Sequence, residues 1–426
     1  MGFAEFFFIV LEDPIPYIAY LLLFESIIFF VLRKQLISIV DPLAEVAFFL
    51  GIYCATVLYM DVNNLLDEIS VYHYWFSTCA LILGMCLWRR GHRIHFEEPN
   101  YSSVEKYLYQ LSAVIFVVTK IYLLVTFGSP LLADESRIGF YQQAGFIKTL
   151  SVTMQSFLYF LLLERCLRYK QIYFIDKAII LFLFIDLFLS GSKSAFATLL
   201  FSLNIYIAYF TSRKYISSKY VVILLPIFVF IVWVKSNYDI EIFLMNFLYS
   251  IMGRADVYVN FYGAGYDNIL NYFSNDEGVD KLCLNVFQVL LNRFGIISYD
   301  DALLKYTWAD KISIYINGIT FQGGVNNVYN LFSLTYLGFW GSIIYSFLIG
   351  VLVSFIRNKL YLVFNMKYVM VRFFIYDVIV NAGQLVIMVH GFVAAIITDL
   401  LILCFLYMVI YHIVYSSKTI IGKGDT

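Results

Sequence analysis

The chain has 426 residues, of which 62% are hydrophobic and only 14% are charged. Soluble globular proteins carry charge on about a quarter of their residues, so this composition excludes an ordinary soluble protein and predicts a membrane protein. The formal net charge of -1 gives no electrostatic basis for a nucleic-acid partner. The six cysteines show no CxxC spacing, so neither a disulfide framework nor a thiolate metal site is predicted.

Apolar segments long enough to cross a bilayer follow one another along the chain, with one long interruption. Residues 3–11 are apolar but too short to cross, and we expect an interfacial or re-entrant helix there. A crossing helix needs about 20 residues, and the segments that qualify are 15–32, 36–60, 71–88, 107–127, 149–168, 175–190, 194–212, 220–234, 328–356, 366–389 and 391–415. We therefore predict an all-α polytopic membrane protein with about 11 transmembrane helices, about eight of them in 1–234 and about three in 328–426.

Basic residues alternate between the connecting loops, which predicts the orientation of the chain. Lysine and arginine collect in cytoplasmic loops, and 19 of the 29 basic residues fall in alternate loops or at the C-terminus: Arg33, Lys34, Arg89, Arg90, Arg93, Lys106, Arg165, Arg168, Lys170, Lys177, Arg213, Lys214, Lys219, Arg357, Lys359, Lys367, Arg372, Lys418 and Lys423. The opposite loops are acidic or mixed. We therefore predict an external N-terminus, a cytoplasmic C-terminus and an external segment at 235–327.

The segment 235–327 is a large polar and aromatic loop between the two groups of spans. Apolar residues recur at helical spacing within 282–293, which favours short amphipathic helices that lie on the membrane. Its tyrosines, among them Tyr258 and Tyr262, are suited to holding sugars, although tyrosine is also common at membrane interfaces. A loop of this size is typical of a protein that acts on a large substrate outside the membrane.

Arginines outside the basic cytoplasmic edge are rare. They are Arg137, Arg254 and Arg293, and all three fall in predicted external loops. The planar fork of arginine binds phosphate through two parallel hydrogen bonds, which lysine cannot do. The three arginines therefore favour a pyrophosphate ligand, while ordinary solvated pairing with acids such as Asp256 is the alternative interpretation.

A tight turn at 190–194, Ser-Gly-Ser-Lys-Ser, joins two predicted spans. Backbone N–H groups at a helix start attract anions, and Ser192 and Lys193 would add a hydroxyl and a positive charge. Asp186 lies about one helical turn before Ser190. It is placed either to orient Lys193 or to join two helices through a polar contact. A simple hairpin turn that needs small residues explains the same sequence equally well.

Several polar residues interrupt the apolar spans, where each costs about 2.5–3.5 kcal/mol at a helix centre on insertion scales and usually faces a partner or a cavity. Asp377, Asn381 and Gln384 share one helix face by their spacing, and His390 follows at the predicted outer end. The remaining members of this group are Glu25, Asp41, Glu45, Lys120, Asp186 and Asp399.

The chain resembles the Wzy-type O-antigen polymerases, the oligosaccharide repeat-unit polymerases of bacterial surface polysaccharide. The resemblance is carried by the turn at 190–194, by the segment 327–350 that begins Asn327-Val-Tyr329, and by Arg254, which ten residues separate from Gly265. It extends over nearly the whole chain as a pattern of spans and loops. Each motif alone has low specificity, and together with the span count they are moderately specific.

This resemblance implies a GT-C-like membrane glycosyltransferase in the bacterial inner membrane, with its active face in the periplasm. The implied substrates are an undecaprenyl-pyrophosphate-linked oligosaccharide donor and acceptor, no cofactor or metal is implied, and a chain-length regulator is a further possible partner. Arg254, Arg293 and Arg137 would hold pyrophosphate, with Lys193 and Ser192 nearby, and Asn327, Tyr329, Tyr262 and Tyr258 would contact substrate.

The implied general base stays open between His390 and Asp256. Related ligases place a histidine before the asparagine that corresponds to Asn327, whereas this chain has Asn326 there. Two other functions remain as alternatives: a flippase for lipid-linked oligosaccharides, and an O-antigen ligase. The long external segment and the lack of two visible halves speak against a flippase, and the missing histidine speaks against a ligase.

Overall fold

The computed structural model describes residues 2–88, 103–131, 144–190, 195–211, 248–249, 251–274, 278–297, 308–317, 328–364 and 366–421. Every regular element within these ranges is a helix. In chain order they are α1 (Phe3–Glu12), α2 (Pro14–Leu32), α3 (Pro42–Val62), α4 (Glu68–Met85), α5 (Ser103–Phe127), α6 (Gly145–Leu163), α7 (Phe174–Leu189), α8 (Ala195–Phe210), α9 (Asp256–Gly263), α10 (Tyr266–Phe273), α11 (Val279–Arg293), α12 (Trp308–Asn317), α13 (Tyr329–Asn358), α14 (Leu360–Val363), α15 (Val369–Asn381), α16 (Gln384–Ile387) and α17 (Val389–Ile421). A π-helical turn, Glu164–Arg168, extends α6.

Six of the described helices are long and apolar enough to cross a membrane, namely α2, α3, α5, α6 with its π-helical turn, α13 and α17. They coincide with six of the predicted spans and confirm an all-helical, multi-pass membrane protein. Helices α4, α7, α8 and α15 occupy four further predicted spans but are shorter, with 18, 16, 16 and 13 residues. The predicted span 220–234 lies outside the described residues, so the total of about 11 stays a prediction.

Glycines bring α4 and α13 into close contact. A Cβ atom on Gly350 would overlap the carbonyl oxygen of Leu81, and a Cβ atom on Gly84 would stand 2.8 Å from the amide nitrogen of Val351. Small residues let the backbones of two membrane helices approach each other, and this gives van der Waals packing where no hydrophobic driving force exists between helices. The α4–α13 pair therefore forms a tight unit in the centre of the bundle.

Buried ion pairs tie the helices together at one end of the bundle. Arg357 in α13 donates a 2.6 Å hydrogen bond to Asp41, and the two side chains are 2% and 0% exposed. Arg372 in α15 contacts Glu164 at 2.7 Å and Glu105 at 3.0 Å. Two arginines expected in a basic cytoplasmic loop are thus inside the bundle, each facing a carboxylate.

A third pair at this end joins Arg165 to Asp176 at 3.1 Å. We call this the Arg357 end of the bundle. The opposite end carries Val62 at the end of α3 and Asp67 before α4, and we call it the Asp67 end. In the predicted orientation the Arg357 end faces the cytoplasm.

Helix α13 is a hairpin of two limbs that reverses at Gly338. Gly338 has φ +68° and ψ −175°, a backbone conformation that favours glycine. The Ser342 hydroxyl donates to the carbonyl of Asn330 at 2.8 Å, whereas these residues would be about 18 Å apart in a continuous helix with a rise of about 1.5 Å per residue. The predicted span 328–356 therefore divides into a short limb, 329–337, and a long limb, 339–358.

Helix α9 lies inside the bundle, although the sequence predicts surface helices for this part of the chain. The amide of Tyr266, just after α9, donates to Asp67 at 2.9 Å, so α9 ends at the Asp67 end. Its residues from Val257 to Tyr262 are all buried. A helix that is apolar or aromatic on every side is a buried helix. The sequence did not indicate that α9 is buried, because tyrosines are equally common at interfaces.

Helix α1, predicted as an interfacial or re-entrant helix, packs against this inserted segment. The amide of Phe3 donates to the Asn260 side chain at 2.9 Å, and the ring of Phe3 lies 5.1 Å from that of Tyr249. Phe6 packs edge-on against Tyr59 at 5.9 Å. The N-terminal helix therefore helps to hold α9 in the bundle.

Candidate functional site

The tyrosines predicted to contact substrate lie in the bundle interior. Tyr258, Tyr262 and Tyr329 are 0%, 1% and 0% exposed. Their hydroxyls are hydrogen-bonded to side chains of α4 and α13 at distances of 2.7–3.0 Å. These hydrogen bonds fix α9 and the short limb of α13 against α4.

Arg254 immediately precedes α9 and reaches the aromatic wall of α3. Its guanidinium carbon stands 5.3 Å from the centre of the Phe49 ring, and it interacts electrostatically with Glu45 and Asp256. The Arg254 side chain is exposed. None of the residues that the structure describes gives Arg254 a side-chain hydrogen bond or an ion pair within 4 Å, so its donors are available to a ligand.

Glu45, which interacts electrostatically with Arg254, lines a small open cleft. The walls come from α3, α8, α15 and α16, and the polar side chains on them are Glu45, Thr198, Asn381 and Gln384. Helix α15 ends at Asn381 and α16 begins at Gln384, so the predicted common helix face is interrupted by a break. The break turns Gln384 into the cleft, while Asn381 also donates to Asp377 at 2.9 Å.

The cleft lies nearer the Arg357 end of the bundle than the Asp67 end, since Pro42 lines it and Asp41 is paired with Arg357. Phe49 is separated from Val62, at the Asp67 end, by about 20 Å of helix α3, given a rise of about 1.5 Å per residue. Glu45 lies about one further turn toward the Arg357 end. The cleft is lined by helices with the composition of membrane spans, and two of its polar residues, Thr198 and Gln384, are exposed.

Asp256, one of the two predicted bases, lies two residues from Arg254 at the start of α9. It accepts a 2.6 Å hydrogen bond from the amide of Val257. Burial raises the pKa of its carboxyl to about 6, and the Val257 amide and Arg254 oppose this rise. Asp256 is outside the six candidate spans, and its carboxyl would titrate close to neutral pH.

Arg293 and His390 come together at a second place in the bundle. Arg293 is the last residue of α11, and its one hydrogen bond within the described part of the chain is a long 3.5 Å contact with the carbonyl of Gly391; burial lowers its pKa. It interacts electrostatically with His390, Lys148 and Asp399. His390 itself is 9% exposed and stacks on Phe332 with ring centres 6.0 Å apart. The structure thus places the two predicted site residues side by side.

The arginines of the described chain fall into two groups. In the first group each guanidinium lies in an ion pair with an acid, and its members are Arg165, Arg168, Arg357 and Arg372. Arg33, Arg254 and Arg293 form no ion pair within 4 Å among the described residues, and Arg33 lies on the exposed surface against Phe30. Positive charge beside membrane-spanning helices is costly without a partner, so Arg254 and Arg293 are suited to binding an anion.

Four predicted site residues lie outside the described residues: Arg137, Lys193, Ser192 and Asn327. Asp186, which was expected either to orient Lys193 or to join helices, forms a 3.0 Å ion pair with Lys120 of α5. It also accepts from Gln155 of α6 at 3.2 Å. The described contacts therefore show Asp186 in its structural role.

Two interior residues have a more central place than sequence reasoning suggested. Glu45 was recognised only as one polar residue within a span, but it lines the cleft and interacts electrostatically with Arg254. His73 was not singled out, yet its ring nitrogens bond to Tyr262 at 2.8 Å and Ser342 at 2.9 Å. A histidine and a glutamate within apolar spans were the available signals, but only folding reveals which partners they meet.

The described residues contain no group of three or more His, Cys, Asp or Glu side chains placed to hold a metal ion. Comparisons with protein-family models, with curated proteins and with solved structures found no match for this chain.

Proposed function

We propose that this protein polymerises polyprenyl-pyrophosphate-linked oligosaccharide repeat units at the periplasmic face of a bacterial inner membrane. The observation that carries the proposal is the pair Arg254 and Arg293, which lie next to membrane-spanning helices and form no ion pair within the part of the chain that the structure describes. A pyrophosphate supplies the negative charge that these side chains lack, and charge-assisted hydrogen bonds of this kind contribute about 1.5–3 kcal/mol each. The motifs shared with Wzy-type polymerases favour the same substrate class.

In the proposed reaction a sugar hydroxyl of the acceptor attacks the anomeric carbon of the donor glycan. The new C–O bond forms while the bond from that carbon to the pyrophosphate oxygen breaks, and the polyprenyl pyrophosphate leaves with the electron pair. Arg254 would stabilise the charge that develops on the leaving oxygen. The acceptor proton would pass to a carboxylate or imidazole, for which Asp256 beside Arg254 and His390 beside Arg293 are the candidates.

The architecture favours a site that is accessible from one side of the membrane over a site whose access alternates between the two sides. Buried ion pairs close the Arg357 end, where Arg357 meets Asp41 and Arg372 meets Glu164 and Glu105. Opening that end would separate buried charges, and leaving one partner of such a pair uncompensated costs about 3–5 kcal/mol. A polymerase does not need this opening, because its substrates arrive and its product leaves on one side.

A flippase for lipid-linked oligosaccharides is the second candidate, and the depth of Arg254 favours it. A transporter binds its substrate near the middle of the membrane, and Arg254 lies about 20 Å along α3 from Val62. The closed Arg357 end would then be one state of a transport cycle. Such a protein would move the substrate without lengthening its glycan.

One assay separates these functions. Purified protein in detergent is given lipid-linked repeat units, and the glycan length is measured on a gel. A polymerase lengthens the glycan in detergent, where no two-sided membrane exists, whereas a flippase leaves it unchanged. An O-antigen ligase would transfer glycan only after lipid A core is added. Unchanged glycan length in both conditions would refute the polymerase proposal.

A further inference from the structure

We propose that Lys148 and Arg293 together form a lipid head-group site at the Asp67 end of the bundle, which takes the pyrophosphate of a polyprenyl lipid directly from the bilayer. This inference rests on the proposed function, in which Arg293 holds pyrophosphate. It adds a second cation, Lys148, and the direction from which the ligand enters. Two independent observations carry it: the position of the two cations, and the polarity of helix α11, which ends at Arg293.

The two cations lie where the end of α11 meets the start of α6. The rings of Phe294 and Phe146 are stacked at 6.2 Å, and Arg293 interacts electrostatically with Lys148. Lys148 is in the first turn of α6, and about 25 Å of helix separate it from Arg165 at the Arg357 end, given a rise of about 1.5 Å per residue. Since the hydrocarbon core of a bilayer is about 30 Å thick, the two cations lie close to the head groups of the opposite leaflet.

The surroundings of the two cations favour an anionic ligand. Neither Arg293 nor Lys148 forms an ion pair within 4 Å in the part of the chain that the structure describes. Asp399 and His390 both act electrostatically on Arg293, but the carboxylate of Asp399 accepts a hydrogen bond from the hydroxyl of Thr153. Helices α6 and α17 both begin here, and helix N-termini carry partial positive charge. A phosphate would neutralise this excess of positive charge.

Helix α11 has the opposite polarity to a helix that faces water. Asn285 and Gln288 are buried, and the Asn285 amide donates to the Tyr336 hydroxyl at 3.2 Å. Leu284 and Phe287, by contrast, are 48% and 53% exposed. A helix on the surface of a soluble protein turns its apolar side to the core and its polar side to water. The outward apolar side of α11 is therefore typical of a helix that faces lipid.

The main packing partner of α11 is α17, one of the six candidate membrane spans. The outward side of α11 thus continues the lipid-facing surface of the bundle, and Arg293 stands at its end. A lipid that moves along this surface would place its chain against Leu284 and Phe287 and its head group against the two cations. Polyprenyl and acyl chains are both apolar, so selectivity comes from the head group: two cations match the two negative charges of a pyrophosphate diester better than the single charge of a phospholipid.

The test measures binding of undecaprenyl pyrophosphoryl-N-acetylglucosamine to purified protein in phosphatidylcholine nanodiscs. Lys148→Gln should weaken binding about 10- to 100-fold, the value expected for loss of one charge-assisted hydrogen bond. Lys148→Arg should retain the affinity, which separates loss of charge from misfolding. The matched control is Lys106→Gln, because Lys106 is also the fourth residue of an apolar helix, α5, but lies at the Arg357 end. It should leave the affinity unchanged.

The direction of entry is tested with a tryptophan on the outward side of α11. The fluorescence added by Phe287→Trp should be quenched by brominated phosphatidylcholine and protected from acrylamide in the water. Quenching by acrylamide alone would overturn entry from the bilayer. The competing phospholipid is tested by replacing half of the phosphatidylcholine with phosphatidylglycerol, which should leave binding of the polyprenyl lipid nearly unchanged. A loss of affinity as large as that in Lys148→Gln, and absent from that variant, would assign the site to bulk phospholipid instead.

Failure of this inference is distinct from failure of the proposed function. If the wild type binds the polyprenyl lipid and Lys148→Gln binds it equally tightly, the head-group site is refuted while the proposed function stands. If the wild type does not bind the polyprenyl lipid, the proposed function fails as well.

Discussion

The guanidinium carbon of Arg254 stands 5.3 Å from the centre of the Phe49 ring, on the inner wall of helix α3. A cation over an aromatic face gains about 0.5–2 kcal/mol, which helps to hold the side chain in place without using its hydrogen-bond donors. The arrangement therefore presents a pre-positioned guanidinium whose N–H groups are open to a phosphate.

Replacing Arg254 by alanine should abolish most pyrophosphate-lipid binding, because two charge-assisted hydrogen bonds are lost. We expect affinity for undecaprenyl pyrophosphate to fall by about 10- to 100-fold. In cells that lack the native gene, complementation with Arg254→Ala should yield surface polysaccharide with single repeats only. Arg33→Ala is the matched control, since Arg33 also stacks on an aromatic ring, that of Phe30 at 4.3 Å, but on the exposed surface. A full-length ladder with Arg254→Ala would remove this residue from the site.

Replacing Arg293 by lysine tests whether its planar fork matters. Lysine keeps the positive charge next to His390 but cannot form two parallel hydrogen bonds to a phosphate. We expect shorter glycan chains or slower lengthening, measured as product length over time, with the protein level unchanged. Normal chain length would show that Arg293 contributes only charge.

Lowering the pH should tighten binding of the sugar-bearing pyrophosphate lipid through Asp256. The pKa of this carboxyl is raised by burial to about 6, so it is charged at pH 7 and largely neutral at pH 5. The charged form repels phosphate and partly neutralises Arg254, hence affinity should rise as pH falls through 6. The lipid is a pyrophosphate diester whose own charge is constant in this range. Asp256→Asn should remove the pH dependence, and persistence of the dependence in that variant would assign it to another group.

Breaking the buried ion pair at the Arg357 end should destabilise the protein. Arg357→Met leaves Asp41 as an unpaired carboxylate in a site where both side chains are almost fully buried, and losses of about 3–5 kcal/mol are typical of such changes. The measurement is denaturant unfolding in detergent. Arg357→Met combined with Asp41→Asn should recover part of the loss. Equal stability of Arg357→Met and wild type would contradict this role.

A methyl group at the α4–α13 contact should also destabilise the bundle. The Cβ atom of Gly350→Ala would overlap the Leu81 carbonyl and lie 2.9 Å from the amide nitrogen of Met85, and overpacking of this kind costs about 1–3 kcal/mol. Gly2→Ala, where no atom lies within 4 Å of the added carbon, should be neutral in the same unfolding measurement. An unchanged Gly350→Ala would mean that the helices can separate without cost.

Much of the membrane architecture could be predicted from the sequence because a crossing helix is a local property. Twenty consecutive apolar residues satisfy their backbone hydrogen bonds within the helix, and the six candidate spans lie where apolar runs were predicted. The hairpin at Gly338 was not predictable from hydropathy, because both limbs are apolar and the reversal is visible only from contacts such as Ser342 with Asn330.

The site was predictable only in its residue types. The scarcity of arginine outside the basic edge singled out Arg254 and Arg293, but nothing in a linear sequence shows whether an arginine has an acid beside it. Arg357 and Arg372 were assigned to a basic loop, and folding gives each a buried carboxylate from a distant helix. The tyrosines of α9 were predicted to hold sugars in an external loop, because a tyrosine suits an interface and a polar interior network equally well.

By itself the sequence determined that this chain is a helical membrane protein, since composition and apolar runs act locally and need no knowledge of neighbours. Only the tertiary structure decided which charges are neutralised. It paired four arginines with acids, left Arg33, Arg254 and Arg293 without an ion pair among the described residues, and placed Glu45, Thr198, Asn381 and Gln384 around one cleft. The physical reason is that a charge in a membrane protein is neutralised only by a partner within a few ångströms, and such partners come from remote parts of the chain.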